Sequence, residues 1–145
     1  MSVEQVARDM VTNMANAEKM KSMVTANAMA SGGVLPQPIP VMEAMKVMAG
    51  LTTAFPDVKF DIQQVTVNGN QATVKAHWSG TNTGPLSLPM PGMQTIPPTG
   101  KKVSVKDAYV ITVEGDKVSH MKVDSPADGG IPAMLVQLGV KMPGM

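Results

Sequence analysis

The spacing of hydrophobic positions along this chain is helical up to residue 55 and alternating after residue 58. Val3, Val6, Ala7, Met10, Val11 and Met14 recur at the interval that stacks side chains on one face of a helix, with Glu4, Arg8 and Asp9 mostly elsewhere on the wheel. Ser2-Val-Glu-Gln5 has the capping-box pattern, in which Ser2 caps the first turn and Gln5 reaches back. Asn16 caps a second short helix whose buried stripe is Met20, Met23 and Val24. Thr25 to Ser31 leaves that helix as a short extended piece ended by Gly32-Gly33. Val41 to Phe55 is a third helix, with Val41, Met45, Met48 and Leu51 or Thr52 inward and Glu43 and Lys46 outward; Pro56-Asp57 stops it.

From Phe60 the period becomes two. Val65, Thr66 and Val67 are β-branched, and Ala72, Val74, Ala76 and Trp78 alternate with Thr73, Lys75, His77 and Ser79. Asn68-Gly69-Asn70 between these runs is hairpin chemistry, since Gly and Asn tolerate the positive φ of a tight turn. A second hairpin follows. Val103, Val105, Asp107, Tyr109, Ile111 and Val113 share one face of its first strand, and Glu114-Gly115-Asp116 is its turn. On the returning strand, Lys117 to Asp124, unbroken alternation puts Val118, His120, Lys122 and Asp124 on one face and Ser119, Met121 and Val123 on the other. Ile131 to Val140 forms a final apolar helical turn.

Two connections are too proline-rich for regular structure. Val34 to Pro40 reads as a loop lying over an opening, and Thr83 to Gly100, with apolar residues at Leu86, Leu88, Met90, Met93 and Ile96, is long enough to read as a lid. Helices, hairpin, excursion, hairpin make an α+β layout, with the helices on one face of an antiparallel sheet. The 145 residues read as one domain, 1–145.

Composition narrows the functional classes. A formal net charge of +1, with scattered lysines, leaves no electrostatic footprint for nucleic acid or an anionic membrane. There is no cysteine, so disulfides and thiolate chemistry are excluded. Two histidines without helical spacing or an acidic cluster give no metal signature, and no phosphate loop or other cofactor motif is present, so no cofactor is expected. Residues 1–33 have no basic start followed by an apolar run, and no run approaches the roughly 20 apolar residues of a membrane span. The expectation is a cytoplasmic protein. Fifteen methionines stand against two Phe, one Trp and one Tyr. They either replace aromatic packing in the core or line a plastic apolar pocket.

Ala54-Phe-Pro-Asp57, Phe60-Asp-Ile62, His77-Trp-Ser-Gly-Thr-Asn-Thr-Gly84, Pro98-Thr-Gly-Lys101, Glu114-Gly-Asp-Lys117 and Gln137-Leu-Gly139 stand in an order and spacing that resembles SnoaL-like polyketide cyclases, within the nuclear transport factor 2-like superfamily. The resemblance implies a cone, a strongly curved antiparallel sheet wrapped around three helices, with an apolar pocket at one end. It further implies a homodimer formed through the sheet, and activities ranging from aldol cyclisation to isomerisation and dehydration. It places the acid/base aspartate of those cyclases at Asp124, with Asp128 as the fallback. Where the family often shows Gln-x-His, this chain has Asp107-Ala-Tyr109; Thr112 stands for the usual Arg, and Asn82 for a usual His.

If Asp107 and Asp124 both point inward from adjacent strands, the two carboxyls share a proton and supply both a base for an acidic C–H and an acid for the resulting enolate. Tyr109 adds a phenolic donor for the same oxygen. Trp78 and Asn82 then belong to the substrate-binding wall, and His120, sharing a face with Asp124, is a minor acid/base candidate; His77, out of phase with Trp78, falls outside. The competing reading leaves the aspartates solvated at strand ends beside Lys102, Lys106 or Lys122. Three functions follow: a cofactor-free enzyme acting by proton transfer on a hydrophobic carbonyl compound, a non-catalytic binding protein for a hydrophobic small molecule, or a dimeric scaffold with a filled cone.

Overall fold

The computed structural model describes residues 2–14, 16–32, 37–87, 95–126 and 129–139. Two short helices open the chain, α1 (Val3–Thr12) and α2 (Ala17–Met23). Ser2 Oγ accepts the Gln5 N–H at 3.1 Å and so caps α1, but the Gln5 side chain turns forward and donates to Asp9 Oδ1 at 2.9 Å. Only half of the expected capping box forms. Asn16 Oδ1 caps α2 through the Lys19 N–H at 3.1 Å.

The extended piece after α2 is strand β1 (Val24–Gly32), and a two-residue strand β2 (Ile39–Pro40) pairs with it just before helix α3 (Val41–Ala54). A proline is tolerated in β2 because that strand is the sheet edge. Of the loop expected at Val34 to Pro40, residues 34–36 lie outside the described residues. Strands β3 (Lys59–Asn68) and β4 (Gln71–Thr81) form the first hairpin, β5 (Lys102–Glu114) and β6 (Lys117–Val123) the second, and helix α4 (Gly130–Leu138) follows. Gly69, with φ 63°, takes the first central position of the β3–β4 turn, and Asn70 has no positive φ; this is the sign pattern of a type II′ turn.

The strands form one sheet in the order β2-β1-β6-β5-β4-β3. It is not wholly antiparallel as expected, because β1 runs parallel to β6. Strand β2, helix α3, the first hairpin and β5 separate the two in sequence, which leaves the direction of β1 unconstrained by any tight turn. The helices lie against the inner face. Val6, Ala7, Met10 and Val11 of α1 pack with Ala72, Val74, Ala76, Tyr109 and Ile111 of the sheet in one apolar cluster. A second cluster gathers Leu51, Ala54 and Phe55 from the end of α3, Trp78, Val103 and Val105 from the sheet, and Met134, Leu135 and Leu138 from α4. Met48 and Phe60, both half-buried, pack against both clusters. Met10, Met14, Met20, Met121 and Met134 are buried core residues, whereas Met45 and Met48 keep part of their surface exposed.

The excursion between β4 and β5 is anchored at its base. Leu86 and Ile96 pair with each other and sink into the second cluster. Gly84 passes so close to α3 that a Cβ there would strike the Thr53 carbonyl, which is why the chain needs glycine at this crossing. The tip, 88–94, lies outside the described residues.

Candidate active site

The inner face of β5 carries a carboxyl between the two apolar clusters. Alternation buries Val103 and Val105 on one side of Asp107 and Tyr109 and Ile111 on the other, so the strand pattern itself drives the carboxyl inward. Asp107 is 8% exposed and Tyr109 3%. The Asp107 carboxyl has donors on both oxygens. Oδ1 accepts the Ala108 N–H at 2.9 Å and the Ser125 hydroxyl at 2.6 Å, while Oδ2 accepts the Tyr109 hydroxyl at 3.3 Å. The Trp78 indole, on β4, is a further polar group that favours the charged form of this carboxyl.

Electrostatics follow from that environment. Burial raises the Asp107 pKa above its ordinary 3.8, and the donors from Ser125, Ala108, Tyr109 and Trp78 hold the rise back because they favour the anion. Burial, then the charge of Asp107, then the hydrogen bond to it, push Tyr109 well above its usual 10.0. The phenol is therefore a neutral donor throughout the physiological range. A base next to a hydrogen-bond donor, both walled by apolar groups, is an arrangement that can move a proton from carbon and hold the oxygen anion that results.

Trp78 belongs to the core and to the site at once: its ring packs edge-on against Phe55, centroids 5.8 Å apart and planes at 69°, while its indole favours the charged form of Asp107.

The other expected residues stand elsewhere. The β5–β6 register slips between Thr112 and Val113, where Ser119 is an extra residue in β6. Beyond this bulge Met121 pairs with Ile111 and Val123 with Tyr109, so these face inward. His120 and Lys122, opposite Thr112 and Val110, face outward. Asp124 is exposed, its N–H bonded to the Ala108 carbonyl at 2.8 Å. The expected pairing of Asp107 with Asp124 therefore does not form; a one-residue bulge inverts every later side chain. Ser125 takes the inward place instead. His120 Nε2 lies 3.0 Å from Ser31 Oγ on the outer face, away from Asp107. Asp128 lies outside the described residues.

Asn82 is fully buried, and its amide is spent on the fold. Nδ2 donates to the carbonyls of Ala54 at 3.3 Å and Gly84 at 2.9 Å, and Oδ1 accepts the N–H and the hydroxyl of Thr99, each at 2.8 Å. It ties α3 to both ends of the excursion and keeps no free group for a ligand, which corrects its expected place in the substrate wall. His77, as expected, lies on the outer face, paired with Asp61 and Lys106. Among the described residues no three His, Asp or Glu side chains are grouped so as to hold a metal ion.

Sequence reasoning missed two polar residues. Ser125 sits in a Gly/Pro-rich stretch with no motif, and only the bulge reveals its face. Gln137 was visible in Gln137-Leu-Gly139, but not its task. Its side-chain amide pairs with the Ser104 backbone, accepting the N–H at 2.9 Å and donating to the carbonyl at 2.8 Å. Lys101 Nζ adds a bond to the Leu138 carbonyl at 3.4 Å, so α4 is latched to the edge of β5 beyond the end of β6.

Comparisons with known proteins agree with this architecture. A family model described as SnoaL-like polyketide cyclase matches residues 3–123. A solved structure from Jannaschia sp. CCS1, described as a candidate SnoaL-like polyketide cyclase, superposes with a TM-score of 0.75 at 19% identity, covering 97% of this chain and 93% of that one. IdmH from Streptomyces antibioticus, described as a candidate polyketide cyclase, gives 0.76 at 15% identity, covering 97% of this chain and 100% of that one. AclR from Streptomyces galilaeus, described as a candidate hydroxylase, gives 0.75 at 18% identity, with 99% and 83% covered. At these identities the structural likeness shows the fold, a nuclear transport factor 2-like cone. No curated protein matches the sequence.

Proposed function

This chain belongs to the SnoaL-like polyketide cyclase family, and on that premise we propose that it is a cofactor-free enzyme performing enolate chemistry on a hydrophobic carbonyl compound. The observation that carries the proposal is the Asp107–Tyr109 pair, a carboxyl with an elevated pKa beside a neutral phenol at the seam of two apolar clusters. Asp107, as carboxylate, takes the acidic proton from the carbon next to the carbonyl. The C–H electron pair becomes the C=C bond of the enolate as the carbonyl π pair shifts onto oxygen, and the Tyr109 hydroxyl turns from Oδ2 to hydrogen-bond that oxygen. The enolate carbon then attacks a second carbonyl, closing a ring as the resulting alkoxide takes the proton held by Asp107, or Asp107 returns that proton to another carbon of a conjugated enolate, isomerising the substrate. Half-buried Met48 and Phe60, touching both clusters, supply the apolar approach to the pair.

A general probe tests this without the natural substrate. Exchange of the α-protons of 2-tetralone in D2O, followed by proton NMR, reads enolate formation directly. The wild-type protein is expected to accelerate exchange above the buffer rate. Asp107→Asn abolishes the acceleration while leaving binding of the enolate mimic 2-naphthol intact, and Asp124→Asn changes neither. Buffer-level exchange by wild type at saturating ketone, with 2-naphthol bound, sinks the catalytic reading.

One observation favours a second reading. Asp107 is nearly enclosed, and among the described residues no buried side-chain N or O lacks a partner. The pair then acts as a polar pin in a filled scaffold, or orients a bound hydrophobic molecule without turning it over; failure of both exchange and 2-naphthol binding is the result that selects the filled scaffold.

A further inference from the structure

The Asp107 carboxyl is not symmetric. Oδ1 accepts two donors, the Ala108 N–H at 2.9 Å and the Ser125 hydroxyl at 2.6 Å, a length typical of an O–H bonded to an ionised oxygen. Oδ2 has the Tyr109 hydroxyl at 3.3 Å, longer than the usual O–H···O distance, and so holds its donor loosely. We propose that Ser125 is the positioning residue of this site: by anchoring Oδ1, it fixes the carboxyl plane so that Oδ2 is the oxygen that accepts the substrate proton. This rests on the acid/base reading above.

The backbone supports the assignment. Tyr109 lies opposite Val123, and the Asp124 N–H bonds the Ala108 carbonyl at 2.8 Å, so the same register carried on one residue puts Ser125 across from Asp107. Just past Ser125 the Gly129 N–H closes back on the Pro126 carbonyl at 2.9 Å, Gly129 lies so close to the Lys106 carbonyl of β5 that a Cβ would strike it, and α4 begins. A hydroxyl whose backbone is held to the sheet on both sides is a fixed donor rather than a freely swinging one. Among the described residues, the sheet neighbours facing Asp107 are Ala76 and Trp78 from β4, Tyr109 on its own strand, and Val123 and Ser125 from the β6 side. Of these only Tyr109 titrates, and it stays neutral. Lys106 and Asp124 flank the site in sequence but lie on the outward phase of their strands, both exposed.

Removing a donor from an ionised oxygen disfavours the anion, so Ser125→Ala should raise the Asp107 pKa by about one unit. The pKa is read by carbon-13 NMR of aspartate-labelled protein, with the Asp107 signal assigned by its loss in Asp107→Asn. The acid limb of the 2-tetralone exchange profile should move up by the same amount, and Ser125→Thr, which restores a hydroxyl, should return both near wild type. An unchanged titration and profile in folded Ser125→Ala overturns the proposal, as does a shift that folded Ser125→Thr fails to reverse. If Ser125→Ala does not fold, Ser125→Cys, whose thiol is only a weak donor, takes its place: a raised Asp107 titration supports the proposal, and a wild-type titration overturns it. A shifted titration with no catalysed exchange in any protein, wild type included, overturns the acid/base reading and the positioning role with it. Wild-type exchange lost in Asp107→Asn but indifferent to Ser125 overturns the positioning role alone.

Discussion

Tyr109 points its hydroxyl at Oδ2 of Asp107 from two positions along the same strand, at 3.3 Å. Residues at this interval share a face of β5, so the pair needs no partner strand to assemble and depends only on the pleat. Its closeness raises the Tyr109 pKa still further and stabilises the Asp107 anion. Burial first, and then the charge of Asp107, keep the phenol protonated, and the phenol in turn supports that charge.

Tyr109→Phe should therefore separate base from donor. Asp107 remains to take a proton, but the enolate oxygen loses its hydrogen bond. Removing one such donor costs about 100-fold or more in turnover in comparable sites. The expected outcome is a fall of that size in the maximal rate of 2-tetralone exchange, with half-saturation little changed. A rise in half-saturation alone would mean that Tyr109 binds the ground state and gives no special help to the enolate.

The buried carboxyl also leaves a mark on stability. Its folded pKa is raised above 3.8, so between that value and the folded pKa the native state binds more protons than the unfolded chain. Stability must then fall as pH rises through this window, and the loss persists above it. Asp107→Asn has nothing to ionise there. The difference in unfolding free energy, wild type minus variant, measured by urea titration from pH 4 to neutrality, should decrease as pH rises. Asp57, whose pKa is lowered first of all by the Thr81 N–H, acts in the opposite sense but equally in both proteins, and cancels. A flat difference across this range contradicts a raised Asp107 pKa.

The inward set of β4 and β5 was readable because alternation there runs unbroken: Ala72 to Trp78 and Val103 to Val113 are buried as the pattern requires. Asp107 and Tyr109 came with it. The returning strand misled because its alternation is interrupted at Ser119, and a bulge leaves no signature in a run where Ser119, His120 and Lys122 fit either face. That single extra residue moved Asp124 and His120 out and Ser125 in. Asn82 misled for another reason. Two of its side-chain partners, Ala54 and Thr99, are brought to it by tertiary structure, and no local pattern distinguishes a pocket amide from a structural one.

Asn82→Ala should accordingly behave as a structural lesion. It strips the half-buried Gly84 carbonyl and the Thr99 N–H of their Asn82 partners, whereas the Ala54 carbonyl keeps the Gly84 N–H at 3.2 Å, and an orphaned buried group costs about 1–3 kcal/mol. Some of these groups lie near the surface and will find water, so a net loss of about 3 kcal/mol is expected in urea unfolding. Below the melting transition, the half-saturation of 2-tetralone exchange should stay near wild type. A stable variant with a large rise in half-saturation would return Asn82 to the substrate wall.

Gln137 offers a test that reads one hydrogen bond at a time. Ser104 pairs with Ser79 across β4, yet its N–H and carbonyl go to the Gln137 side chain, because β6 ends its pairing at Val123 opposite Tyr109 and leaves that edge of β5 open. The carboxamide supplies one donor and one acceptor, just what a neighbouring strand residue would supply. Gln137→Met keeps the length and helix propensity of the side chain and removes the amide. The contact is solvent-exposed, so the stability loss should be small, about 1 kcal/mol, and the Ser104 amide proton should exchange with solvent about fivefold faster. Ile111, deep in the sheet, provides the control whose exchange should follow global stability only. If the Ser104 amide stays as protected as before, the latch does not depend on Gln137, and the apolar contacts of Met134, Leu135 and Leu138 with the second cluster hold α4 on the sheet by themselves.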